Sequence, residues 1–84
     1  FVPTTENFDG IMECYRAAYK FGYDGVQNGK WDAFNVGQNI GEAAGQTVMY
    51  PHIHMIPRRK GDMADPRGGV RHVIPERGNY KLWK

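Results

Sequence analysis

A single cysteine, Cys14, stands among 84 residues, which rules out an intrachain disulfide and any CxxC metal or redox motif. Cys14 falls where a helix is expected and has no histidine near it in sequence, so it reads as a small buried or half-buried side chain rather than a nucleophile. The lack of disulfides fits a reducing compartment, and a cytoplasmic location is the expectation. No apolar run is long enough to span a bilayer and no signal-peptide core is present, so a membrane partner is not expected. Charge of one sign is also scarce. Eleven Lys and Arg against nine Asp and Glu leave a formal charge of +2, too little to predict DNA or RNA binding. The first residue is Phe1 rather than methionine, and the sequence is therefore read as processed, trimmed or partial.

With 40% hydrophobic, 13% aromatic and 24% charged residues, the balance is that of a globular protein. A chain of this size makes one small domain with a thin core, and eleven glycines and five prolines imply many turns. The basic residues are unevenly spread. Arg58, Arg59, Lys60, Arg67 and Arg71 fall in one short region that either attracts polyphosphate or is a solvated face.

Phe8, Ile11, Met12, Tyr15 and Tyr19 recur at spacings of three and four, with Glu6, Glu13, Arg16 and Lys20 on the wet side. This predicts a helix over residues 5–21, capped by Thr4 or Thr5 and ended by Gly22, followed by turns through Asp24, Gly25, Asn28 and Gly29. Two strands are predicted, Trp31 to Gln38 and Val48 to Ile56, joined closely enough to pair antiparallel. After Pro57 mostly extended or irregular structure is expected, with Val70, Val73, Ile74, Tyr80, Leu82 and Trp83 as anchoring contacts. Trp31 and Trp83 read as core or subunit anchors. One helix on a two-stranded ribbon is marginal, so partner subunits or further strands are expected to complete the sheet.

Side chains alternate along a strand, which places Tyr50, His52 and His54 on one face of the second, with same-face neighbours about 6 to 7 Å apart. Pro51 marks this as an edge, a bulge or a strand start. Two imidazoles in that arrangement suit three roles. They can act as nucleophile and phosphate partner, as metal ligands with a third donor such as His72, or as ordinary hydrogen-bonded histidines. Ahead of them lies Asn39-Ile40-Gly41-Glu42-Ala43-Ala44-Gly45-Gln46-Thr47. Its glycines permit close backbone approach, leaving the N–H groups of Gly45, Gln46 and Thr47 as donors to anionic oxygen, with the side chains of Asn39, Gln46 and Thr47 as neutral donors. Glu42 either orients a polar group or sits on the loop surface, and His72 reads as a surface or packing residue. The loop does not match GxxxxGK[ST], so Walker-type ATP binding is unsupported.

The run FNVGQNIGEAAGQTVMYPHIHMIPRRKGDMADPRGGVRHVIP resembles the carboxy-terminal half of the histidine triad family, in its branch of dinucleoside polyphosphate hydrolases and nucleotidyl transferases. That family carries three alternating histidines after a GQ[ST]V-like segment, the middle one attacking the α-phosphate to form a nucleotidyl-histidine. Here GQTV is Gly45 to Val48, and Tyr50 takes the place of the first histidine. The resemblance implies that His52 is the nucleophile and that His54 binds phosphate and settles charge on the reacting group. Asn39, Gly45, Gln46, Thr47 and Tyr50 would then surround the phosphates. It implies an α+β fold with an antiparallel sheet and a packed helix, residues 1–84 forming the carboxy-terminal part of such a domain, and commonly a homodimer. The expected ligand is a nucleotide or dinucleoside polyphosphate, with no tightly bound cofactor and the involvement of a divalent metal left open. A phenol, with an ordinary pKa of about 10, is a poor proton shuttle at neutral pH. The alternatives are therefore a catalytically weak nucleotide-binding or regulatory protein, and a metal-binding protein.

Overall fold

Helix α1 runs Phe8–Gln27 in the computed structural model, which describes residues 8–48 and 50–78. The expected caps Thr4 and Thr5 lie outside the described residues. Gly22 does not end the helix. The Gly22 and Gly25 positions are buried, and a Cβ at either would collide with a ring, that of Phe34 at Gly22 and that of Trp31 at Gly25. These glycines let two aromatic side chains lie directly against the helix backbone, and the Trp31 indole N–H donates to the Gly22 carbonyl at 2.8 Å. Mid-helix glycine costs about 1 kcal/mol relative to alanine, and close aromatic packing offsets it. The true stop is Gly29, at φ 73°. Its N–H donates to the Val26 carbonyl and that of Lys30 to the Gly25 carbonyl, at 3.2 and 2.8 Å, which is a Schellman closure.

Strand β1 spans Ala33–Gln38 and β2 spans Ile53–Arg58, paired antiparallel from Ala33 opposite Arg58 to Gln38 opposite Ile53. The chain is thus an α+β fold, with one α-helix packed on a two-stranded antiparallel sheet among the described residues. Both strands differ from expectation. Trp31 is drawn out of β1 by its contact with the helix. The second strand starts five residues later than Val48, after Pro51, and continues through Pro57, which is tolerated because β2 pairs on one side only among the described residues. The pairing puts Phe34, Val36 and Gln38 on the helix side, where Tyr15 Oη donates to Gln38 Oε1 at 3.4 Å. Asn35, Gly37, His54 and Arg58 share the opposite face, and an Arg58 guanidinium N–H donates to Asn35 Oδ1 at 2.7 Å.

Beyond β2 the chain turns through Arg59–Asp62 and forms two short 3-10 helices, Gly69–Val73 and Pro75–Arg77, in place of the extended structure expected. Val70, Val73 and Ile74 are exposed rather than anchoring, while Tyr80, Leu82 and Trp83 lie outside the described residues. Cys14 is exposed as well, contrary to the burial expected from its small size. The described core is thin. Ile11 is its one buried apolar side chain, and Phe8, Met12 and Tyr19 of the same stripe are largely open.

The turn after β2 is held electrostatically. Asp62 accepts from Arg58 Nε and Nη2 at 2.8 and 2.9 Å and from the Arg59 backbone N–H at 3.0 Å. The Arg58 guanidinium first, and then the Arg59 N–H, hold the Asp62 carboxyl down at about 2. Because the folded value lies below the ordinary aspartate value of about 4, the stabilisation is present above that pH and is lost as pH falls from about 4 to about 2. Asp62→Asn should therefore lower the thermal midpoint at pH 7, and the difference from wild type should vanish near pH 2. A second prediction concerns the helix glycines. Gly25→Ala should destabilise by roughly 1 to 3 kcal/mol in urea despite alanine's better helix propensity. Gly10→Ala, where an added Cβ meets nothing within 4 Å, should stabilise by up to about 1 kcal/mol.

Candidate functional site

The register of β1 and β2 brings the two ends of residues 39–52 together at one end of the sheet. Between them a single 3-10 turn, Glu42–Ala44, is bounded by Gly41 at φ 93° and Gly45 at φ 92°, conformations that side chains rarely adopt. The loop closes on itself. Gly45 N–H donates to the Glu42 carbonyl at 2.9 Å, and Gln46 N–H to the Gly41 carbonyl at 3.1 Å. The Gln46 carboxamide completes the clasp, its oxygen accepting from Gly41 N–H at 2.8 Å and its Nε2 donating to the Val48 carbonyl at 3.0 Å.

This clasp reassigns part of the donor set expected from sequence. The Gly45 and Gln46 N–H groups and the Gln46 amide shape the loop, so their polarity is used internally. Among the described residues, no hydrogen bond engages the Asn39 side chain or Thr47, which leaves these two as the loop's neutral donors. A cavity of about 150 Å³ lies under the loop, lined by Asn39, Gly45, Gln46, Thr47, Val48, Tyr50, His52 and His54. Every candidate residue of the sequence motif meets there, together with Val48. The volume suits one phosphate-sized group and falls well short of the roughly 300 Å³ or more of a typical small-molecule pocket.

Strand alternation is not what gathers the aromatic and imidazole side chains. His54 lies within β2 on the face away from α1, opposite Gly37. Tyr50 and His52 precede the strand, separated by Pro51, and reach the cavity because the chain turns into β2 there. The Tyr50 and His52 rings contact one another, with centroids 4.8 Å apart and planes inclined by 54°.

The other candidates lie elsewhere. Arg58 is committed to Asp62 and Asn35, and an Arg59 guanidinium N–H donates to the Lys30 carbonyl at 2.9 Å. The Lys60 backbone N–H donates to Asp32 Oδ2 at 2.8 Å. All three basic residues line a separate cavity of about 540 Å³ at the opposite end of the strands. His72 is half-buried against Gly78, and its Nε2 donates to the Arg67 carbonyl at 2.8 Å. Glu42 is exposed on the loop. Among the described residues no three His, Cys, Asp or Glu side chains converge, so His52 and His54 gain no third protein ligand from them.

The sequence profile of the HIT domain matches residues 5–61, more than half of the chain. The chain belongs to the HIT-domain family. Members of that family generally bind nucleotides. A relative is the uncharacterized HIT-like protein MJ0866 of Methanocaldococcus jannaschii, 36% identical over 53 residues, which are 63% of this chain and 35% of that protein. The chain thus spans about a third of that relative's length. No solved structure gives a significant match. The matched HIT segment holds α1, both strands, the clasped loop and both cavity histidines. Among the described residues, no helix is long and apolar enough to cross a membrane.

Gln46 was legible as a polar loop residue, but its clasping role depends on the positive φ of Gly41 and Gly45, which only the folded loop reveals. Gln46→Ala should accelerate hydrogen exchange of the Gly41 amide about fivefold, the equivalent of about 1 kcal/mol for one lost bond. Exchange at Val36, inside the ladder, should not change. Unchanged exchange at Gly41 would contradict the clasp.

Proposed function

We propose that this HIT domain acts on nucleotide phosphates as a hydrolase or nucleotidyl transferase, with His52 as the nucleophile. The observation that carries the reading is the convergence of His52, His54, Asn39 and Thr47 on a phosphate-sized cavity beneath the glycine loop. The loop supplies neutral donors, which hold an anion without the cost of burying an ammonium. Two imidazoles supply ring nitrogens able to attack phosphorus and to hold a phosphoryl oxygen.

In the first step a ring nitrogen of His52 forms a bond to phosphorus while the bond to the leaving oxygen breaks, and the departing group takes up a proton. In the second, water or another acceptor attacks phosphorus, the P–N bond breaks, and the nucleoside monophosphate unit leaves as His52 regains its free nitrogen. His54 contacts phosphoryl oxygen throughout. The site is proposed to work in the whole protein as a homodimer in the cytoplasm, with a nucleotide or dinucleoside polyphosphate as ligand and without a tightly bound cofactor.

A second reading is favoured by Tyr50, which brings a phenol to the wall where the family resemblance implies another imidazole. On that reading the cavity binds nucleotide and turnover is weak. Incubation of the full chain with an α-labelled nucleotide, followed by alkaline quench, separates the two. The enzyme reading predicts an acid-labile label on His52, absent in His52→Ala while nucleotide binding persists. His54→Ala should weaken binding and lower the rate about a hundredfold. Binding without any adduct or turnover would leave only the second reading.

A further inference from the structure

Resting on that reading of the site, we infer that Tyr50 is a positioning residue, holding the His52 imidazole in place by ring contact rather than acting as a proton relay or phosphate ligand. His52 stands just outside the β1–β2 ladder, which begins at Ile53, so pairing with β1 does not hold its backbone. Its ring is exposed, and among the described residues it forms no hydrogen bond. Among the described residues its ring pairs with that of Tyr50, 4.8 Å away and tilted by 54°. Those values fall within the offset geometry that aromatic pairs prefer, roughly 4.5 to 7 Å between centroids.

Tyr50 is itself 63% exposed. Pro51 between the two residues fixes one backbone torsion and narrows how far either ring can swing from the other. A nucleophile that must reach phosphorus along one line loses rate when its ring samples other rotamers, because fewer encounters start from the reactive geometry. The phenol oxygen, by contrast, has no described hydrogen-bond partner on either histidine. The ring is therefore the part of Tyr50 that bears on His52.

The test uses the full chain and adenosine 5′-phosphorimidazolide, an activated nucleotide carrying its own leaving group. A ring nitrogen of His52 bonds to phosphorus as the P–N bond of the reagent breaks, and imidazole departs with a proton. Single-turnover labelling should slow about three- to tenfold in Tyr50→Ala, and Tyr50→Phe should recover most of that loss. Affinity for inorganic phosphate should stay within about twofold in both variants. In proton spectra, the ring-current displacement of the His52 carbon-bound protons should persist in Tyr50→Phe and vanish in Tyr50→Ala, while those of His54 hold still. Equal damage from Phe and Ala would assign the work to the phenol group and overturn the inference, as would unchanged labelling in Tyr50→Ala or a parallel loss of phosphate affinity. A wild-type chain that takes no label would overturn both this inference and the proposed nucleophile.

Discussion

The antiparallel register that sets Gly37 opposite His54 and Gln38 opposite Ile53 is the constraint on which the site depends. It brings Asn39, which leaves β1, close to His52, which enters β2, and so obliges the intervening residues to fold back over the strand ends. A slip of one residue would turn His54 toward α1 and bury it beneath the helix, removing it from the cavity. The helix packing guards that register. Phe34 and Trp31 seat on the bare backbone at Gly22 and Gly25, and this fixes which face of β1 meets α1. The histidine face is then the one turned away from α1.

Two kinds of glycine do different work here. Gly22 and Gly25 are needed for proximity, since their lack of a Cβ admits an aromatic ring. Gly41 and Gly45 are needed for conformation, since their positive φ bends the loop into its clasp. The distinction explains why glycine could be misread as a helix stop in one place and correctly as a loop former in another. Sequence position alone weights Gly22 as a terminator, and only the distant Phe34 reveals it as a contact surface. Gly29, three residues past Val26, carries the actual stop signal.

The site was more legible than the fold around it. Asn39, Gly45, Gln46, Thr47, Tyr50, His52 and His54 lie in one short stretch whose ends are tied by a strand pair, so local sequence holds nearly all that the cavity requires. The reason given by alternation was only partly right, because Pro51 delays the strand and leaves Tyr50 and His52 to be placed by the turn. The basic residues Arg58, Arg59 and Lys60 were harder to read. Asp62 and Asn35 on Arg58, the Lys30 carbonyl on Arg59 and Asp32 on the Lys60 backbone N–H are all placed by the far end of the same ladder, and a run of positive charge does not announce these partners. Val70 and Val73 failed as anchors for a similar reason: apolar character says that a residue favours burial, not that a neighbour is there to cover it.

What emerges is a division of labour along one hairpin. One end holds neutral donors and imidazoles around a small cavity, and at the other Arg58 is paired with Asp62 while Arg59 donates to the Lys30 carbonyl. Anion recognition should therefore follow the loop and not the charge. The most direct test is a titration of the full chain with inorganic phosphate, followed by amide and imidazole chemical shifts. The account predicts coordinated shifts at Asn39, Gly45, Gln46, Thr47, His52 and His54, with Arg58, Arg59 and Lys60 unmoved. Shifts confined to Arg58–Lys60, with the loop and both imidazoles silent, would contradict it.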